Sequence, residues 1–159
     1  MNKNLWKDMK PMRRNTKLEA EGAEFLVLGS LLVEGIACFK AYVNYPGYDL
    51  IAVSPDKGRN ARIQVKSRFA SDYNKRFPIK NFDCDFVVHV ALNRGYHYGK
   101  KGKGDGSEIK TPDFFVIPVD IVKQAQVPDS DWGMVKLSAI KDLAFYKDAW
   151  SLIYDYLNK

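Results

Sequence analysis

The chain reads as an α/β domain: a mixed β-sheet flanked by helices. Three observations predict it. Residues 61–68 alternate, with Ala61, Ile63, Val65 and Ser67 on one side and Arg62, Gln64, Lys66 and Arg68 on the other, which is the period of a strand. Residues 85–92 form a β-branched apolar run, the pattern of a strand buried on both faces. Leu18, Phe25, Leu28, Leu31 and Leu32 near one end, and Trp150, Ile153, Tyr154 and Leu157 near the other, recur at helical spacing.

The elements follow in order. Residues 1–15 are polar and basic and read as a loosely held arm. Thr16 with Glu19 three residues on fits a capping box, so a helix is expected over 17–34, ending at Gly35 as its C′ residue. Ile36–Val43 reads as a first strand, Tyr45-Pro46-Gly47 as a turn and Leu50–Val53 as a second strand. The polar stretch Ser54–Asn60 reads as a hairpin loop leading into the strand Ala61–Arg68. After the strand at 85–92, the Gly- and Lys-rich residues 93–113 read as a loop. Phe114–Ile117 reads as a short strand, Val119–Ala125 as a helical turn after Pro118, and the C-terminus as an amphipathic helix. No repeat or second domain is visible, so residues 1–159 form one domain.

Composition narrows the class. Hydrophobic residues make up 46% and charged residues 28% of the 159, as in ordinary globular proteins. No apolar run is long enough to span a bilayer. Met1–Lys10 lacks the apolar core of a signal peptide, so a cytoplasmic protein is expected. Cys38 and Cys84 lack metal-ligand spacing and sit among apolar residues, as buried reduced thiols do. The net charge of +6 favours polyanionic partners. The basic residues gather at Lys10, Arg13, Arg14 and Lys17, and again from Arg59 to Lys80.

Asp49 opens the second strand, and Gln64 and Lys66 lie two residues apart on the third. A loop centred near Lys57 puts Asp49 beside Val65 or Lys66, within one position of Gln64. Glu24 lies in the apolar stripe of the first helix, beside Ala20, Val27, Leu28 and Leu31, where a carboxylate needs a partner. Asp49, the Gln64 amide oxygen, the Val65 backbone carbonyl and Glu24 are the oxygen donors that magnesium takes. Lys66 is placed to offset charge on a phosphate. Each residue also has a plainer reading. In it Asp49 caps the turn after Pro46-Gly47, Glu24 reaches water from the helix edge, and Gln64 and Lys66 belong to a solvated strand face.

This arrangement resembles the PD-(D/E)XK, or restriction-endonuclease-like, superfamily. The likeness covers residues 16–92 in the expected order: the helix with Glu24, then Gly47-Tyr48-Asp49-Leu50, then Gln64-Val65-Lys66. The superfamily core is a helix, an antiparallel strand trio, a crossover helix and a further strand. Its first acid matches Asp49, its lysine Lys66 and its helical glutamate Glu24; its second acid falls on Gln64, which removes one negative charge. The resemblance implies a magnesium- or manganese-dependent DNA endonuclease with Asp49, Glu24, Gln64 and Val65 at the metal. In that reading Arg62, Arg68, Lys75 and Arg76 track the phosphate backbone, and a homodimer would serve two-strand cutting. Two alternatives stay open: a nuclease-fold DNA-binding module without activity, and a basic protein-interaction domain.

His89 in its apolar strand and His97 in the loop have no partners at zinc or nucleophile spacing. The loop Gly95–Gly104 fails the nucleotide-binding patterns. It could contact phosphates, with Tyr96 and Tyr98 stacking on bases, or be solvated. Phe145, Tyr146, Trp150 and Tyr154 read as core or as a dimer face.

Overall fold

The computed structural model describes residues 15–41, 47–71, 76–95 and 109–159. Its first element is the helix α1 (Thr16–Val33). Asn15, rather than Thr16, is its N-cap: the Asn15 side chain accepts from Lys17 N and Leu18 N at 3.1 and 3.2 Å. Asn caps at least as well as Thr, and the capping box gives way to it. At the other end Gly35 takes φ +78°, and Ile36 N and Gly35 N donate to Leu31 O and Leu32 O. This closing pattern needs a left-handed residue at C′.

Five strands form the main sheet in the order β1-β2-β3-β5-β6: β1 (Ala37–Lys40), β2 (Leu50–Ser54), β3 (Arg59–Arg68), β5 (Phe86–Ala91) and β6 (Asp113–Pro118). Among the described residues only β3–β5 is a parallel pair, so the sheet is mixed. The β2–β3 loop is shorter than the sequence suggests. A 3-10 turn at Pro55–Lys57 and left-handed Gly58 close it, so strand pairing already starts at Ser54 and Arg59. A two-stranded ribbon, β4 (Arg76–Pro78) with β7 (Met134–Lys136), lies apart from the main sheet. β4 occupies the stretch between β3 and β5, where the resemblance implies a crossover helix; among the described residues there is none. Helices α2 (Val119–Ala125) and α3 (Ser151–Asn158) complete the fold.

Two cores result, one on each face. α1 and α3 cover one face, with Val27, Leu31, Leu50, Ile63, Val88, Trp150 and Ile153 packed together. The other face carries α2 and the β4–β7 ribbon, around Phe77, Val87, Phe115, Ile117 and Val135. β5 is buried at all six positions because both layers press on it. Tyr154, expected on the buried stripe of α3, is 52% exposed, and Phe145 is exposed as well, whereas Trp150, Ile153 and Leu157 are buried. Cys38 and Cys84 are buried and unbridged, and burial raises each thiol pKa to about 11. His89 is buried between Phe77 and Phe115, at ring distances of 5.3 and 6.4 Å. The basic arm, Tyr45-Pro46, Lys75 and the loop from Tyr96 to Gly104 lie outside the described residues. Among the described residues, no helix is long and apolar enough to cross a membrane.

Candidate active site

Asp49 lies one residue before β2. The turn that delivers it needs Gly47, whose φ is +113° and whose Cβ position would come within 3.0 Å of Asn81 and Asp83 atoms. Asp49 N donates to Ile63 O at 2.8 Å, and Asp49 O accepts from Ala41 N at 2.9 Å, so its backbone is clamped between β1 and β3. Beyond Leu50 the ladder continues through the side chain. Asp49 Oδ2 accepts from Val65 N at 2.7 Å, where a strand carbonyl would otherwise sit. The other carboxylate oxygen is left for a different partner.

The register pairs Leu50 with Ile63, one step from the spacing expected, because the loop centres between Asp56 and Lys57. Asp49 lies just before the paired register, with its N–H on Ile63 O and its side chain on Val65 N, one on either side of Gln64. Ala61 and Ile63 are wholly buried toward α1 and α3, so Gln64 and Lys66 alternate to the other face. Gln64 Oε1 is buried and has no hydrogen-bond partner among the described residues. Such an acceptor is costly unless a ligand completes it. Burial lowers the pKa of Lys66, against the attraction of Asp49. Burial raises the pKa of Asp49, against the Val65 N–H and the charges of Lys66 and Lys40.

Glu24 points inward from α1, its side chain 18% exposed. Its carboxylate meets Lys40, with Nζ 2.9 Å from Oε2. Lys40 also pairs with Glu21 and lies 4.6 Å from the centre of the Phe25 ring. Burial raises the pKa of Glu24 and Asp49 adds to it, while Lys40 opposes the rise. Lys40 was the residue missed by sequence reasoning. Its signal was a lysine in the short strand Ala37–Lys40, where burial demands a counter-charge.

Asp49 thus feels the charges of both Lys66 and Lys40, but Glu24 and Lys40 sit on the α1 face, away from the face to which Gln64 and Lys66 turn, so the four residues expected at one site are split across the sheet. Of the proposed phosphate-tracking arginines, Arg62 is instead tied to Asp83 and Asp85, with Nε 3.3 Å from Asp85 Oδ2. Arg68 Nε donates to Arg76 O, which fastens β3 to β4; Arg76 itself is exposed.

Asp49, Gln64 and the Val65 carbonyl are hard oxygen donors, and the incomplete Gln64 acceptor fits a hard divalent ion. Glu24 fits less well, because Lys40 already holds it. Among the described residues, no three His, Cys, Asp or Glu side chains group closely enough to hold a metal.

No family model matches the chain, and no curated protein matches it. Among solved structures, the bacterial homing endonuclease I-Ssp6803I has a similar fold, with a TM-score of 0.59 and 22% identity over 91% of this chain and 94% of that one. That likeness shows the fold alone: a mixed sheet with flanking helices.

Proposed function

We propose that this chain is a divalent-metal-dependent DNA endonuclease with a PD-(D/E)XK site in which glutamine replaces the second acid. The observation that carries the reading is the buried, uncompleted Gln64 Oε1, flanked by the Ile63 and Val65 backbone groups that bind Asp49 and two residues from Lys66. The shared fold with a homing endonuclease supports it. Asp49, Gln64 and the Val65 carbonyl would hold magnesium or manganese. When bound, such an ion supplies Lewis acidity and charge neutralisation at the scissile phosphate. The Val65 N–H fixes Asp49 Oδ2 and so aims its second oxygen. Lys66 stabilises the charge that builds on the phosphate oxygens, and burial strengthens its effect. Glu24 acts through Lys40, placing a second cation near Asp49. Arg68, Lys75 and Arg76 would hold the backbone of the DNA; Arg62 is committed to its acids.

The test is incubation of plasmid, single-stranded and four-way-junction DNA with magnesium or manganese. Cleavage by the wild type and none by Lys66→Ala is the expected result. Cleavage that survives Lys66→Ala overturns the proposal.

The Glu24–Lys40 pair and Gln64 favour a second reading, a DNA-binding module of the same fold without a metal. Manganese titration decides between them. Binding that is lost in Asp49→Ala supports the nuclease. No manganese binding, together with salt-sensitive DNA binding, supports the module.

A further inference from the structure

Residues 126–133 join α2 to β7 and are pinned to the end of β4. Gln126 Nε2 donates to Ile79 O and to Gly133 O at 2.8 and 3.1 Å, and Ile79 N donates to Gly133 O at 3.0 Å. Ser130 Oγ accepts from Met134 N at 3.1 Å. This fixed turn holds Trp132 70% exposed, while Trp150 is buried in the core. A single exposed apolar side chain is ordinary. Trp132 differs in its setting. Lys80 Nζ stands 5.6 Å from the centre of its ring, which orders the indole and leaves its other face to solvent.

The cations continue along the ribbon. Phe77 and Ile79 are buried, so Arg76, Pro78 and Lys80 turn outward. Lys136, also exposed, pairs with Arg76 in register, a placement suited to a phosphate lying across both. The ribbon borders the candidate site at both ends. Arg68 Nε donates to Arg76 O, and Lys80 precedes Asn81, whose Oδ1 comes within 2.9 Å of the Gly47 Cβ position. Gly47 is two residues from Asp49. The backbone at Lys80 therefore lies within roughly 20 Å of Asp49, a span of about six nucleotides in one strand. Asp129 and Asp131 are exposed on the same turn and repel phosphate from the indole, so the ring suits an uncharged base rather than the backbone.

We propose that Trp132 stacks on an unpaired base while Lys80, Arg76 and Lys136 hold the flanking phosphates. DNA with an unstacked base a few nucleotides from the cut is then bound in preference to continuous duplex. This rests on the DNA reading above and specifies which DNA. Stacking tolerates any sequence, because every base offers a π-face. It needs the base out of the helix, since inside a duplex both faces are already covered. A bulge, a strand end and a branch point each supply such a base.

Fluorescence anisotropy in EDTA, which keeps cleavage out of the measurement, tests it on the full chain. The probes are two labelled duplexes of equal length, one fully paired and one with a single bulged thymine at its centre. The expected result is about tenfold tighter binding of the bulged duplex by the wild type. Trp132→Ala should lose that preference and Trp132→Phe should keep most of it, with affinity for the paired duplex unchanged in both. Trp132 is open to solvent, so neither substitution disturbs the core. Tryptophan emission should fall on adding the bulged duplex, and should hold steady in Trp132→Phe. Equal affinity of the wild type for both duplexes overturns the proposal. So does a Trp132→Ala variant that keeps the preference, or that loses affinity for both duplexes alike. Salt-sensitive binding without preference leaves the DNA reading standing and removes only the stacking role. Absence of binding to either duplex at low salt overturns both.

Discussion

Lys40 Nζ lies 2.9 Å from Glu24 Oε2 with its side chain only 5% exposed, and Glu21 is its second carboxylate partner. The two ends of this pair fare differently. Burial works against the Lys40 ammonium, yet two carboxylates hold its pKa above the ordinary value. Burial raises the pKa of Glu24, and a single cation does not offset it while Asp49 repels. Lys40 is therefore the keystone and Glu24 the dependent partner. Lys40→Met should destabilise the fold by about 2 kcal/mol, below the full figure for breaking a buried pair because Glu21 remains half exposed. Adding Glu24→Gln should restore part of that, read from urea midpoints in a double-mutant cycle.

Asp49 gives a pH-dependent prediction. Its carboxyl pKa is raised above the ordinary 3.8 by burial. Between 3.8 and the raised value the folded state holds more protons than the unfolded chain. Stability from this group therefore falls as pH rises through that window, and the penalty is full above it. Asp49→Asn keeps an acceptor for Val65 N–H and removes the charge. It should stabilise the protein by about 1 kcal/mol at neutral pH while abolishing metal binding, a trade seen at functional sites. Melting temperatures across pH check it: the gap between variant and wild type should close below the carboxylate range.

Gln64 is the second lever. Gln64→Glu adds the missing anionic oxygen and should tighten manganese affinity about tenfold or more, a gain of about 1.4 kcal/mol. Gln64→Leu removes a buried acceptor without a partner, so it should be neutral or stabilising and should weaken manganese binding. Isothermal titration and thermal melts together read both arms. An unchanged manganese affinity in both variants would take Gln64 out of the site.

Gly47→Ala probes the turn that delivers Asp49. The φ of +113° and the 2.9 Å approach to Asn81 Oδ1 leave no room for a methyl group. A loss of about 2 kcal/mol is expected. DNA cleavage should fall with it even where the variant stays folded, because Asp49 is two residues away.

Much of the architecture was legible in the chain because it depends on local pattern. The alternation of 61–68, the apolar run at 85–92 and the Gly35 stop are set by side-chain period and backbone freedom, which act within a few residues. The capping choice between Asn15 and Thr16, the length of the hairpin loop and the ribbon formed by β4 and β7 turned on competition between near-equal local options or on pairing across distant segments. The residue types of the candidate site were readable too, along with their order. Their partnerships were decided in three dimensions. Arg62 is claimed by Asp83 and Asp85, and Glu24 by Lys40, because a buried charge takes the opposite charge that packing brings nearest. No spacing along the chain encodes which one that is.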